Sequence, residues 1–166
     1  MKPGDHPEFF RFPPPPGQSR ESGIVLDADG RFWHRAERVA HPRMEAAFAT
    51  WIRRHPDDGR YVLSNGYDWS YFEVQGTPFF VRAIRVDPAG LRLSLSDGNE
   101  ELLDPATLRV GPRDALIAAV KGGAFEARFT PSAQTALAPH LEETHAGGLV
   151  LRIGRAVFPL TLPLPH

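Results

Sequence analysis

Cysteine is absent from this 166-residue chain, which removes thiol nucleophiles, thiolate metal ligands and disulfides together. Stability must then come from a packed core. The length suits one domain, with room for two small halves. An excess of one charge is also missing, since 19 basic residues face 20 acidic ones, so no bulk field draws the chain to nucleic acid. Seventeen of the 19 basic residues are Arg, a bias that reads as genome composition rather than as a phosphate-binding device. No apolar run nears the roughly 18 residues of a membrane span, and Lys2 is followed by Pro, Gly, Asp and Glu instead of a signal peptide's apolar stretch. The expectation is a soluble cytoplasmic protein that engages neither nucleic acid nor membrane.

Proline, by contrast, is plentiful at the start. Pro3, Pro7 and Pro13 to Pro16 lack the donors that helices and central strands need. Residues 1–21 therefore read as a flexible lead-in, with docking of Phe9, Phe10 and Phe12 onto a partner or back onto the domain as open alternatives. A single domain is expected over 22–166, divisible into halves 22–88 and 89–166. Ile24 to Leu26, Asp29-Gly30 and Arg31 to Trp33 form a hairpin pattern. A helix follows, with His41 before it, Pro42 at its first position, and Met44, Phe48, Trp51 and Ile52 on one face. Arg53, Arg54 and His55 suit its carboxyl end.

Tyr61 to Leu63, Trp69 to Val74 and Thr77 to Val86 read as successive strands of an antiparallel meander, with Phe79-Phe80-Val81 central and covered on both faces. Leu91, Leu93 and Leu95 lead to Asp97-Gly98, and Gly98 echoes Gly30 at an offset of 68 positions without detectable identity. Residues 115–120 fit a strand or a short helix, with strand preferred. Thr130-Pro131 starts a second helix through Ala133 and Leu137, interrupted at Pro139, and a last hairpin runs from Leu149 to Leu162. The fold class is α+β, mostly antiparallel strands with two main helices and two structurally related halves.

Several of these segments resemble, in order over roughly residues 22–162, the bacterial family called domain of unknown function 1285. The resemblance is carried by Asp29-Gly30-Arg31-Phe32-Trp33-His34, the helix, Asp58 to Leu63, Thr77-Pro78-Phe79-Phe80-Val81 and the segment from Gly123 to Leu137. It implies a mixed α+β domain of two related halves with a role in signalling or regulation. The chain departs from the family pattern at Ser64 to Trp69, where a more apolar, proline-containing connection is expected, and in its last hairpin.

No residue set demands a chemistry. His140-Leu141-Glu142-Glu143-Thr144-His145 imitates a zinc motif, but a spacing of five turns the second imidazole about 140° from the first on a helix. His34, His41 and His55 with Asp57 converge only if tertiary structure brings them together, and no metal or other cofactor is expected. Ser64 and Ser70 lack a nucleophile elbow, and Lys121-Gly122-Gly123 lacks a phosphate-loop order. The acidic residues before glycine suit turns rather than acid–base catalysis. Catalytic residues are therefore not assigned.

Two non-catalytic hypotheses carry more. Arg31, His34, Arg35 and Arg38 crowd one loop beside Trp33, a composition suited to holding the carboxylate or phosphate of an acidic small molecule. Its competitor is solvation of the loop with Trp33 in the core. Alternatively, Tyr67, Trp69 and Tyr71 on a half-exposed strand would anchor a protein partner or a homodimer, against simple core packing. The resulting expectation is a non-catalytic ligand-binding or regulatory domain sensing an acidic small molecule, with an interaction module as the alternative and an enzyme last.

Overall fold

Strand-forming segments punctuated by glycine turns assemble into two six-stranded sheets and one three-stranded sheet in a computed structural model that describes residues 2–163. The chain divides between Gly76 and Thr77 into two units.

The first unit contains β1 (Glu21–Leu26), β2 (Phe32–His34), β3 (Glu37–Arg38), α1 (Pro42–Trp51), β4 (Ile52–Arg54), β5 (Tyr61–Ser64) and β6 (Trp69–Val74), in sheet order β3-β2-β1-β6-β5-β4. Only β1 and β6 run parallel. The β1–β2 turn forms because the Asp27 carboxylate accepts the backbone N–H groups of Asp29 and Arg31, both at 2.9 Å, while Gly30 takes a φ of +90°. His41 caps α1 through Nδ1, which accepts from the Met44 N–H at 3.4 Å, and Pro42 holds the first position.

The helix is shorter than its apolar pattern. Ile52, expected on its face, opens β4 and pairs with Leu63, and it is almost fully buried. Met44 is 49% exposed. A β-branched residue with a strand partner is held better by the sheet than by another helical turn, an override of local periodicity by tertiary pairing. Arg53 belongs to β4 as well, yet its guanidinium still donates to the carbonyls of Thr50 and Ile52 at 3.1 and 2.8 Å, so the expected capping of the carboxyl end persists from outside the helix.

The lead-in expected outside the domain is part of this unit. Short 3-10 turns occupy Pro3–Asp5 and Pro7–Arg11, and Phe10 is buried with Val62 and Trp69. Burying an aromatic ring offsets the ordering of a proline-rich segment whose backbone is already restricted.

The second unit repeats the strand path. It contains β7 (Phe79–Asp87), β8 (Gly90–Leu95), β9 (Glu100–Leu102), β10 (Arg109–Val110), β11 (Leu116–Val120) and β12 (Phe125–Phe129), in order β10-β11-β12-β7-β8-β9 with β7 and β12 parallel. Replacing each strand number by that number less six gives the order of the first sheet read from its opposite edge, so the two halves are related. Phe79, Phe80 and Val81 are all buried in the centre of this sheet, as their unbroken apolar run implied. Residues 116–120 are strand. α2 (Pro131–Leu137) is capped by Thr130, whose hydroxyl accepts from the Ala133 N–H, and buries Ala133 and Leu137. A small sheet of β13 (Leu141–Glu143), β14 (Leu149–Ile153) and β15 (Ala156–Pro159) follows.

The relation between halves is not the one the Asp-Gly echo indicated. Gly30 lies between the first and second strands of its sheet and Gly98 between the second and third, so the counterpart of the Gly30 turn is the one ending at Gly90. The boundary also falls ahead of the expected 88/89 division, because β7 pairs with β8 and β12 rather than continuing a meander from β6. Among the described residues no helix is long and apolar enough to cross a membrane.

Candidate functional site

Arg31, His34, Arg35 and Arg38 surround a tight turn. Arg35 and Ala36 form the tight β2–β3 turn with φ values of +49° and +69°, leaving β2 and β3 as a narrow ribbon. Cross-strand partners share a face, so Trp33 lies with Arg38 and Val25 while His34 lies with Glu37 and Ile24 on the other. Arg38 pairs with Glu45 of α1 at 3.0 Å. Arg31 helps hold the Asp27 carboxyl below the usual range: burial pushes that group up, and the Trp33 indole, the Arg31 and Asp29 backbone N–H groups and the Arg31 charge outweigh it. The Trp33 Nε1–H donates to Asp27 Oδ2 at 2.9 Å. Arg31, Arg35 and Arg38 are all exposed; Arg35 lies in the turn itself, and strand alternation puts Arg31 on the face of Trp33 and Arg38, opposite His34.

The aromatic strand is engaged instead. Trp69 is 6% exposed, Tyr71 is half-buried and Tyr67, in the preceding turn, is 66% exposed. Trp69 thus takes the core-packing alternative, and what covers it is the N-terminal segment. The Phe10 ring lies 5.7 Å from Trp69 and 5.9 Å from His55, centre to centre. Trp69 Nε1–H donates to the Phe9 carbonyl at 3.2 Å, and His55 Nε2 lies 2.9 Å from the Phe10 carbonyl. Since His55 Nδ1 accepts the Asp57 N–H at 3.1 Å, its proton resides on Nε2 and is donated to Phe10. Two neighbouring carbonyls of one segment are therefore read by two ring N–H groups from different strands and loops.

Charged residues complete the groove. Arg11 forms a bidentate contact with Asp57, at 3.1 and 2.9 Å, and that hydrogen bond holds the Asp57 carboxyl below its ordinary range. The Arg20 guanidinium stands 4.3 Å from the centre of the Trp69 ring and donates to the carbonyls of Trp69, Phe12 and Pro13. Arg60 stacks 3.8 Å over Tyr71 while both its terminal nitrogens reach Glu21. The Tyr71 hydroxyl donates to Asp58 at 2.7 Å, and burial followed by the neighbouring Asp58 pushes the phenol up to about 12. At the other end Gly4 N–H donates to the Gly66 carbonyl at 2.9 Å, and a Cβ on Gly4 would meet the Gly66 Cα at the same distance. Only glycine permits that approach.

Sequence reasoning named Trp69, Tyr71 and the Phe9–Phe12 aromatics separately, without joining them. It read His55 as a helix-end cation, whereas the structure buries it to 6% exposure beneath the segment. A Phe-Phe-Arg triplet within an otherwise polar, proline-rich stretch was the available signal. Among the described residues no three His, Asp or Glu side chains converge as metal ligands would.

Fold and site together define an α+β protein of two topologically related sheets whose N-terminal segment lies in an aromatic groove. No protein-family model and no curated protein matches the sequence. The structure is similar to the crystal structure of a DUF1285 family protein from Silicibacter pomeroyi DSS-3, with a TM-score of 0.67 at 19% identity over 90% of this chain and 84% of that one. It is also similar to a DUF1285 family protein from Shewanella baltica OS155, with a TM-score of 0.56 at 17% identity over 73% of this chain and 94% of that one. The chain thus has the fold of the DUF1285 family, in agreement with the resemblance read from its motifs.

Proposed function

We propose that this protein is a non-catalytic recognition domain of regulatory type, and that its working surface is the groove formed by His55, Trp69, Tyr71 and Asp57. The observation that carries this reading is the pair of ring N–H donors on consecutive main-chain carbonyls, with a pocket for the intervening Phe10 side chain. Main-chain hydrogen bonding supplies affinity for any extended segment, and the aromatic pocket with an adjacent carboxylate supplies preference for an aromatic residue followed by a cation. The chain's own Phe9-Phe10-Arg11 meets that requirement. A partner peptide of the same chemistry would compete for the groove.

The test is a peptide of residues 3–12 titrated into the full chain carrying Phe10→Ala, with the Trp69 indole resonance as the readout. Saturable binding that returns this resonance to its wild-type position supports peptide recognition. Absence of binding at millimolar peptide would reduce the groove to a packing site for its own terminus.

A further inference from the structure

The groove of the first unit continues past Arg11, and Arg20 builds its far end. Arg20 stands immediately before β1, where its carbonyl accepts the Tyr71 N–H at 2.7 Å. Its Nη1 donates to the Trp69 carbonyl and to Asp68 Oδ1, both at 2.8 Å, and the guanidinium lies over the Trp69 ring. Among the described residues its Nε, which is buried, has no hydrogen-bond partner. Main chain, Nη1 and ring contact therefore fix Arg20 to β6, and Nη2 faces the N-terminal segment. It donates to two successive carbonyls, that of Phe12 at 3.1 Å and that of Pro13 at 3.2 Å.

This end reads main chain where the other reads a ring. Phe12 is 63% exposed and Pro13 is exposed as well, so neither side chain fills a pocket. Phe12 has φ −72° and ψ 137°, the polyproline II region. Across residues 9–13 the domain gives hydrogen bonds to the main chain and takes none from it: Trp69 donates to Phe9, His55 to Phe10, and Arg20 to Phe12 and Pro13. Among the described residues no backbone N–H of Phe10, Arg11 or Phe12 donates to the domain outside the segment. A groove that offers only donors loses nothing when its ligand lacks N–H groups. Proline meets that condition, and a polyproline II chain keeps its carbonyls free of internal hydrogen bonds.

We propose that the partner of this groove is a proline-rich segment in which an aromatic residue and an arginine are followed, after one residue of any kind, by a run of prolines, and that Arg20 selects the run. Such a partner presupposes the peptide recognition proposed for the groove and specifies its chemistry. The occupant is argued from the segment already seated there, since Phe10, Arg11, Phe12 and the prolines at 13–16 are a sequence of this kind. A partner takes the donors by displacing that segment. The donors outlast its departure because Trp69 lies in β6 and Arg20 is anchored to the same strand. A polyproline run is extended before it docks, so little ordering opposes its binding.

The experiment uses the full chain carrying Phe10→Ala together with Pro13→Gly, Pro14→Gly, Pro15→Gly and Pro16→Gly, in which the chain's own segment competes weakly because glycine favours its undocked state. Two amidated peptides are titrated into it with the Trp69 indole resonance as the readout: residues 3–16, and the same peptide with alanine in place of the prolines at 13–16. Expected is saturable binding of both, with the prolyl peptide about ten-fold tighter. Adding Arg20→Lys, which keeps the charge and loses the two-sided fork, should bring the two affinities together. Equal affinities before that change would overturn the proline preference and leave peptide recognition standing. A preference that persists in Arg20→Lys would overturn the role of Arg20, and failure of both peptides to bind would overturn the partner and the groove together. The comparison of the two peptides needs no variant at Arg20 and decides the proline preference even if that variant fails to fold.

Discussion

Replacing Phe10 by Ala should release the N-terminal segment while leaving the first sheet folded. Phe10 is 9% exposed and its ring contacts Trp69, His55 and Phe9. Removing such a side chain forfeits burial worth about 1.5–3 kcal/mol, together with aromatic edge contacts of about 0.5–1.5 kcal/mol. A loss near 3 kcal/mol raises the open fraction of the segment about a hundred-fold. The global loss is smaller than for a sheet residue, because the segment can undock without separating β1, β5 and β6. Hydrogen exchange resolves the two effects: the Trp69 indole N–H and the Gly4 amide, bonded to Phe9 and Gly66, should exchange about a hundred-fold faster at equal pH. Amides of the β5–β6 ladder should change far less. If the Trp69 indole exchanges at the wild-type rate in the variant, the Phe10 ring is not what holds the segment and the reasoning fails.

Tyr71→Phe should remove a spectrophotometric phenol titration step near about 12. Because this folded-state value lies above the ordinary one near 10, the stabilisation from the Tyr71–Asp58 bond is fully present below pH about 10 and is lost as pH rises toward 12. Asp27 has the opposite sign. Its depressed folded value gives stability above the ordinary carboxylate range that is lost as pH falls through the folded value, so Asp27→Asn should flatten the acid limb of a melting-temperature profile below pH about 4. Lys121→Met should cost about 2 kcal/mol in denaturant unfolding, since it strands Asp97, whose side chain is 5% exposed and paired with Lys121. The figure lies below the range for wholly buried pairs because the Lys121 side chain is 25% exposed. An unchanged midpoint would show that Asn99 and backbone donors suffice for Asp97.

Local chemistry by itself determined much of the secondary structure. Pro42 and the Thr130-Pro131 pair mark helix starts because a missing N–H is harmless there, and the glycine turns mark strand ends because they accept positive φ. The buried run Phe79 to Val81 announced a central strand since both its faces are apolar. Tertiary structure decided the remainder through contacts that no short window encodes. Whether β6 pairs with β1 or continues to β7 depends on strands distant in sequence, and the parallel choice in both sheets sets the break at Gly76. Within the Arg31–Arg38 group, the tight turn at Arg35 and Ala36 and the pairing of β2 with β3 decide that His34 faces away from Trp33 and Arg38. Likewise Phe10 finds His55 and Trp69 only in the folded unit. A sequence states the period and the breaks of its elements, whereas the pairing of distant surfaces is settled by the burial and hydrogen bonding available once those elements exist.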